Sequence, residues 1–196
     1  MNEQILPKPA DLRPIICPYP TLAMRAKVVT VKENEFEEPE LIKEYCEKMI
    51  SILESFKGTG IGIAANQVGL LLRIFVCLDN LNISTEKRNI EVYVNPKILS
   101  YEKEQHQISE EEGCLSFPGI KGYVSRCDFV EIAYRDIHGK RHVRSDTGLQ
   151  ARCWMHEIDH LDGINIPRKF SQEDLRKNKI ALKKLKWNKL TRLVSH

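Results

Sequence analysis

Three absences narrow the reading of this sequence before any motif is weighed. None of its 196 residues belong to an apolar run of the roughly 20 positions that a membrane-crossing helix needs. The first eleven residues are polar and proline-containing, without the apolar stretch of a signal peptide or the arginine-rich pattern of an organellar presequence. The expected compartment is therefore the cytoplasm, with no membrane partner. No Cys-x-x-Cys pair occurs, and Cys17, Cys46, Cys77, Cys114, Cys127 and Cys153 are scattered. That pattern fits free thiols in a reducing compartment better than a disulfide framework. Repeats and low-complexity runs are missing too. What is present is 42% hydrophobic content, enough for one globular domain with a proper core.

Charge is uneven along the chain. The formal net charge is +3, yet residues 168–196 hold ten Lys/Arg against two Asp/Glu, leaving twenty against twenty-five for residues 1–167. A basic tail hangs on an acidic body. Ser171 and Asp174 have the spacing of a helix start, and Leu175, Leu182, Leu185 and Leu193 fall near helical intervals. The expected division is a body over residues 1–170 and a basic C-terminal helix over 171–196, packed on that body or extending from it. Two uses of the helix stay open: it buries its leucines and solvates its lysines, or it touches nucleic acid or another polyanion.

Within the body, Asp11 to Val31 carries Pro14, Pro18 and Pro20 and reads as an extended arm. After Pro39, the residues Leu41, Ile42, Tyr45, Met49, Ile52, Leu53 and Phe56 predict an amphipathic helix of about five turns, ended by Gly58. Strands are predicted at Leu71–Leu78, Ile90–Val94 and Phe129–Tyr134, the last turning through residues 137–140 into Arg141–Arg144 as a hairpin. The polar segment Ser84–Asn89 reads as a surface loop. Thr147 to Leu161 is the long helix of the second half, with Asp146 as its N-cap and Gly163 as its stop. Strands leading to a central helix predict an α+β domain with mainly antiparallel sheet.

Chemistry concentrates on that helix, in Met155-His156-Glu157-Ile158-Asp159-His160-Leu161-Asp162-Gly163. Residues four apart on a helix share a face, so His156 and His160 present two imidazoles to one point. Glu157 beside them can take a proton from a coordinated water, the chemistry of the His-Glu-x-x-His signature. A solvated helix face is the alternative. A catalytic site of this type needs a third protein ligand, and the longer zinc-peptidase motif fails to supply it, because Ile166 stands where its third histidine belongs. Glu173, Asp174 and His196 offer no better context. Cys114 does, within Glu111-Glu112-Gly113-Cys114-Leu115-Ser116-Phe117-Pro118-Gly119: a thiolate suits two imidazoles, and Gly113 lets the chain bring it close. Upstream, Gly60-Ile61-Gly62-Ile63-Ala64-Ala65-Asn66-Gln67-Val68-Gly69 is small enough to let backbone approach a ligand, with Gln67 as an amide donor to a developing oxyanion. A tight structural turn explains that stretch equally well. Its third glycine is misplaced for a dinucleotide fingerprint.

Together, GIGIAANQ at 60–67, EGCLS at 112–116 and HEIDHLDG at 156–163 resemble the signature motifs of the peptide deformylases, in the same order and at compatible separations. The YPTLAMRAKVV run near the N-terminus extends the resemblance over roughly residues 11–168. The resemblance implies a hydrolase that removes the formyl group from the N-terminal methionine of newly made chains, releasing formate. It implies that Cys114, His156 and His160 hold one divalent metal, often Fe2+, with Zn2+, Ni2+ or Co2+ able to substitute. Glu157 would handle the proton of water, while the Gln67 amide and the Leu115 backbone N–H stabilise the oxyanion. Gly62 would offer backbone to an extended peptide, and Glu112 with Arg126 would form a carboxylate–guanidinium pair steadying the cysteine loop. Tail contact with the ribosome also follows from the resemblance, and sequence-specific nucleic-acid binding does not.

One position departs from the family. Glutamine usually precedes the first metal histidine, and here that position is Met155, after Trp154. Either an amide hydrogen bond is lost beside the ligands, or Met155 packs in the core as an adaptable apolar residue. Two other readings stand beside the deformylase: a peptidase cutting internal bonds, and a silent relative that docks through its tail.

Overall fold

In the computed structural model, residues 8–9, 12, 28–32, 36, 40–56, 58–82, 89–101 and 107–186 are described. Most of the proline-containing arm, the loop at 84–88 and Leu193 lie outside them. The first periodic segment forms helix α1, Glu40–Ser55, and buries Ile42, Tyr45, Cys46, Met49, Ile52 and Leu53 at the predicted intervals. Leu41, though part of the sequence stripe, faces solvent.

Seven strands follow among the described residues. They are β1 (Gly62–Ala64), β2 (Ile74–Leu78), β3 (Ile90–Tyr101), β4 (Gln107–Gly113), β5 (Lys121–Cys127), β6 (Phe129–Arg135) and β7 (Arg141–Thr147). They form a five-stranded sheet of order β1-β2-β3-β6-β7 and a separate two-stranded β4–β5 ribbon, with antiparallel pairing throughout. Strand alternation sends Ile74 and Val76 of β2 into a cluster with α1. Phe75 and Cys77 point to the opposite side, into a second cluster with helix α2, Gly148–Leu161. The sheet is thus covered on both faces, and α2 lies against the face away from α1.

Three details differ from what the sequence predicts. Strand β3 runs through Asn95 and Pro96 to Tyr101 instead of ending at Val94, because irregularities in its register with β6 absorb the proline. Asn95 takes a positive φ of 52° there and its side-chain amide pairs with both backbone groups of Val31. The ribbon, without a hydrophobic alternation in β4, was not anticipated. Asp146 does not cap α2: it belongs to β7 and its carboxylate accepts from Thr147 N–H and Asn82 Nδ2. The cap comes from elsewhere in the chain, with Asn82 Oδ1 accepting from Leu149 N–H at 3.0 Å and Asp128 Oδ1 from Gly148 N–H at 3.1 Å. At the other end Gly163, at φ 71°, stops the helix as its sequence position suggests.

The described part of the tail is two short helices rather than one. They are α3 (Gln172–Lys177), whose Ser171 cap accepts from Asp174 N–H, and α4 (Lys179–Lys184). Asn178 breaks them and donates to Lys121 O in the ribbon. Leu182 is buried with Phe117, Ile120, Val124, Ile166 and Phe170 on the ribbon side of the body, and the half-buried Leu175 and Leu185 pack against the same cluster.

Candidate metal centre

Helix α2 stands between two unlike surfaces. Ala151, Trp154, Met155, Ile158 and Leu161 pack on Phe75, Tyr93, Val130 and Ile132 of the sheet. Met155 is therefore placed as a packing residue. Cys153 and Glu157, one turn apart, face β1, and the approach is so close that a Cβ on Gly62 would lie 2.7 Å from Glu157 Oε1 and 3.0 Å from Cys153 Sγ. Only glycine fits between this carboxylate and the strand.

On the side facing the ribbon, the His156 and His160 rings meet edge-on with centroids 4.9 Å apart. Cys114 follows β4 directly and brings Sγ to 3.2 Å from His160 Nε2. One donor atom from each of Cys114, His156 and His160 lies within 4.8 Å of the others. A thiolate and two imidazoles converging in this way fit a divalent transition metal with one position left open. Ile166, the residue in the place of a third peptidase histidine, is buried among apolar side chains.

The surrounding charges fit a cation as well. Glu112 is the one buried side chain of β4, and both of its oxygens are doubly used. Oε1 accepts from Arg126 Nε at 2.6 Å and Arg152 Nη1 at 2.7 Å, while Oε2 meets Arg126 Nη2 at 2.9 Å and His156 Nδ1 at 3.0 Å. Burial raises the pKa of Glu112, but the hydrogen bonds from His156 and Arg126 outweigh it and hold the carboxyl well below the usual range. Burial likewise opposes charge on His156, yet hydrogen bonds to Cys114 and Glu112 carry its pKa up to about 10 without an ion. Burial and the charges of His156 and Arg126 push His160 well below its ordinary value. A metal ion held by the three ligands would take the place of the His156 proton. Glu157 is pushed up to about 7 by burial, against the pull of His156 and Arg126. Its Oε2 is buried with no hydrogen-bond partner in the protein, as expected of a group kept for an external ligand.

Gln67 lies in a tight turn, one of the two readings of its stretch. Residues 65–68 form a short 3-10 turn, and Gln67 Oε1 accepts from Ala64 N–H at 2.8 Å within it. That bond fixes the amide so that Nε2 points at Cys114 Sγ, 3.7 Å away, and at Ser116 Oγ, 3.1 Å away. Leu115, next to Cys114, is half-buried against the α1 cluster. Sequence reasoning missed Arg152 and Asp159. Asp159 Oδ2 binds Arg126 Nη1 at 2.7 Å and Lys169 Nζ at 3.0 Å. The signal for Arg152 was its position four residues before His156, which puts an ionisable group on the same helix face.

Comparison with known proteins gives one consistent result. Residues 14–176 match the family model described as polypeptide deformylase. The chain is 38% identical over 143 residues to a peptide deformylase of Endomicrobium trichonymphae, covering 73% of this chain and 76% of that protein. With peptide deformylase 2 of Xanthomonas campestris it shares 35% identity over 172 residues, covering 86% and 95%. The crystal structure of the peptide deformylase of Thermus thermophilus superposes with a TM-score of 0.73 at 31% identity, over 89% of this chain and 97% of that one.

Proposed function

The chain belongs to the peptide deformylase family, and from that premise we propose that Cys114, His156 and His160 hold its catalytic metal, with Glu157 as general acid–base. Members remove the N-terminal formyl group from newly synthesised polypeptides, and this chain is such a metal-dependent hydrolase. When bound, the ion supplies a Lewis acid that lowers the pKa of water toward neutrality and polarises the formyl oxygen.

The protein's own groups do the rest in this reading. Glu157, confined between α2 and Gly62, takes the proton of the attacking water and returns it to the leaving amine. Gln67 Nε2 and the Leu115 N–H donate to the oxyanion at the formyl carbon. Among the described residues, strand β1 is the edge of its sheet. Ile61 O accepts from Leu78 N–H across the pair, so Gly62, next in line, turns its own N–H and C=O toward the free edge, where an extended peptide can pair. Glu112 and Arg126 steady the ligands from behind. Met155 serves packing.

The observation that carries this reading is the convergence of one thiol and two imidazoles beside a buried carboxylate with a spare oxygen. It is tested by formate release from formyl-Met-Ala-Ser, using protein purified without oxygen and analysed for bound metal. We expect iron at about one equivalent, and Glu157→Ala should lower the rate by about 100-fold or more with metal still bound. Undiminished formate release by that variant would remove Glu157 from the role, and zinc alone in active protein would remove iron.

The basic tail and the compartment belong to the same proposal. Helices α3 and α4 direct Leu182 inward, and Lys179, Lys183 and Lys184 are exposed, which leaves a cationic outer surface for ribosomal RNA in the cytoplasm. Replacing Lys177, Lys179, Lys183 and Lys184 by Gln should weaken ribosome co-sedimentation and flatten its salt dependence. Unchanged sedimentation would end the ribosome reading, and recovery of the protein from a membrane fraction would end the cytoplasmic one.

A further inference from the structure

We propose that Arg152 is a positioning residue of the metal centre, acting through Glu112; the inference rests on the reading that Cys114, His156 and His160 hold the metal. Arg152 lies one helical turn before His156, so both reach the ribbon from the same face of α2. Its side chain is only 9% exposed, and its guanidinium is fully engaged. Nη1 donates to Glu112 Oε1 at 2.7 Å and to Val124 O at 3.0 Å, Nη2 to Ile108 O at 2.8 Å, and Nε meets Glu110 Oε2 at 2.9 Å.

Arg126 already forms a planar fork with Glu112, reaching both oxygens. Arg152 adds something the fork does not. It grips Oε1 from the same helix that carries His156, and so fixes which oxygen is presented to Nδ1 of that ring. With Glu112 accepting at Nδ1, the imidazole is held as the tautomer whose Nε2 is free to ligate. Its two carbonyl contacts hold the guanidinium in place against that oxygen. Ile108 is in β4 and Val124 in β5, so one guanidinium ties α2, with its two histidines, to both strands of the ribbon that leads into Cys114. Glu110, Glu112 and Asp159 balance Arg126, Arg152 and Lys169 in charge, leaving a neutral frame around the ligand cluster. A lysine at 152 would keep the charge but could not span four acceptors, since its ammonium is a single point where the guanidinium is a fork.

The test compares the parent with Arg152→Met and Arg152→Lys, each with and without Glu112→Gln. Co2+ affinity is read by chelator competition, following thiolate-to-cobalt absorption, and the His156 ring nitrogens are followed by 15N NMR in Zn2+-loaded protein. Arg152→Met should weaken Co2+ binding about 10- to 100-fold, and Arg152→Lys should restore only part of it. The Nδ1–H signal of His156 should exchange faster with solvent in both. In the Glu112→Gln background either substitution should add little further loss, since Arg152 acts through that carboxylate. Equal losses in both backgrounds, or an unchanged Nδ1–H signal, would overturn the proposal in favour of a merely structural role. Should Arg152→Met fail to fold by circular dichroism, Arg152→Lys carries the same cycle. A parent without thiolate-to-cobalt absorption would instead refute the metal-site reading itself.

Discussion

The two surfaces that hold α2 work by different physics. Toward the five-stranded sheet, the helix buries Ala151, Trp154, Ile158 and Leu161 among aromatic and aliphatic side chains, with Trp154 fully enclosed and its ring 5.7 Å from that of Tyr93. Toward the β4–β5 ribbon it presents Arg152, His156 and Asp159, each engaged by a charged or ionisable partner. The first contact is non-directional and scales with area; the second depends on angle and distance. The sheet therefore decides where the helix lies, and the ribbon decides how the histidines are aimed. Stability and metal binding should respond separately to changes on the two sides.

The largest effect should come from the sheet side. Trp154→Ala removes a fully buried indole and is expected to cost about 3–5 kcal/mol in denaturant unfolding. Metal affinity of the protein that remains folded should be near that of the parent. A loss of affinity comparable to that of a ribbon variant, in folded protein, would erase the distinction.

Next in size is the ribbon side itself. Glu112→Gln keeps the shape of the side chain and removes the charge that Arg126, Arg152 and His156 share, and should weaken Zn2+ binding about 10- to 100-fold. It should also change the acid response of the metal-free protein. The carboxyl of Glu112 titrates lower in the folded chain than its ordinary 4.5. The stability it contributes is therefore complete above that ordinary value and is lost as pH falls toward the folded-state value. Urea unfolding across this range should show a steeper decline for the parent than for the variant. Parallel curves would assign the acid sensitivity to other carboxylates.

The same division governs what could be read without coordinates. His156, Glu157 and His160 were legible because one helical period fixes their geometry. The mainly antiparallel sheet was legible from apolar alternation in Phe129–Tyr134 and its hairpin partner. The ribbon was not, since β4 exposes every residue except Glu112, and three consecutive glutamates carry no period-two signal. Arg152 shares the helix face of His156, but its role was not legible for a related reason: its partners, Glu110, Glu112, Ile108 and Val124, come from strands 28 to 44 residues away. Asp146 had the right chemistry for a cap in the wrong place, because Asn82, 67 residues before Leu149, already filled that role. Interactions set by local period can be read from one sequence; those set by a distant partner need the fold.

The smallest expected effect is the most discriminating control. Glu111 adjoins Glu112 but points to the opposite face of the ribbon, where its carboxylate sits 3.6 Å from Lys121 Nζ with both side chains more than half exposed. Glu111→Gln makes the same change in net charge within one residue of Glu112→Gln. An exposed pair of this kind contributes at most about 1 kcal/mol, so unfolding should shift little and Zn2+ affinity should stay with the parent. If metal binding responded to net charge in the neighbourhood, the two variants would lose affinity alike, because solvent screening still leaves adjacent charges within one Debye length. If it responds to the hydrogen bonds that aim His156, only Glu112→Gln weakens it. Equal losses would replace directional positioning with a long-range field as the ribbon's contribution to the site.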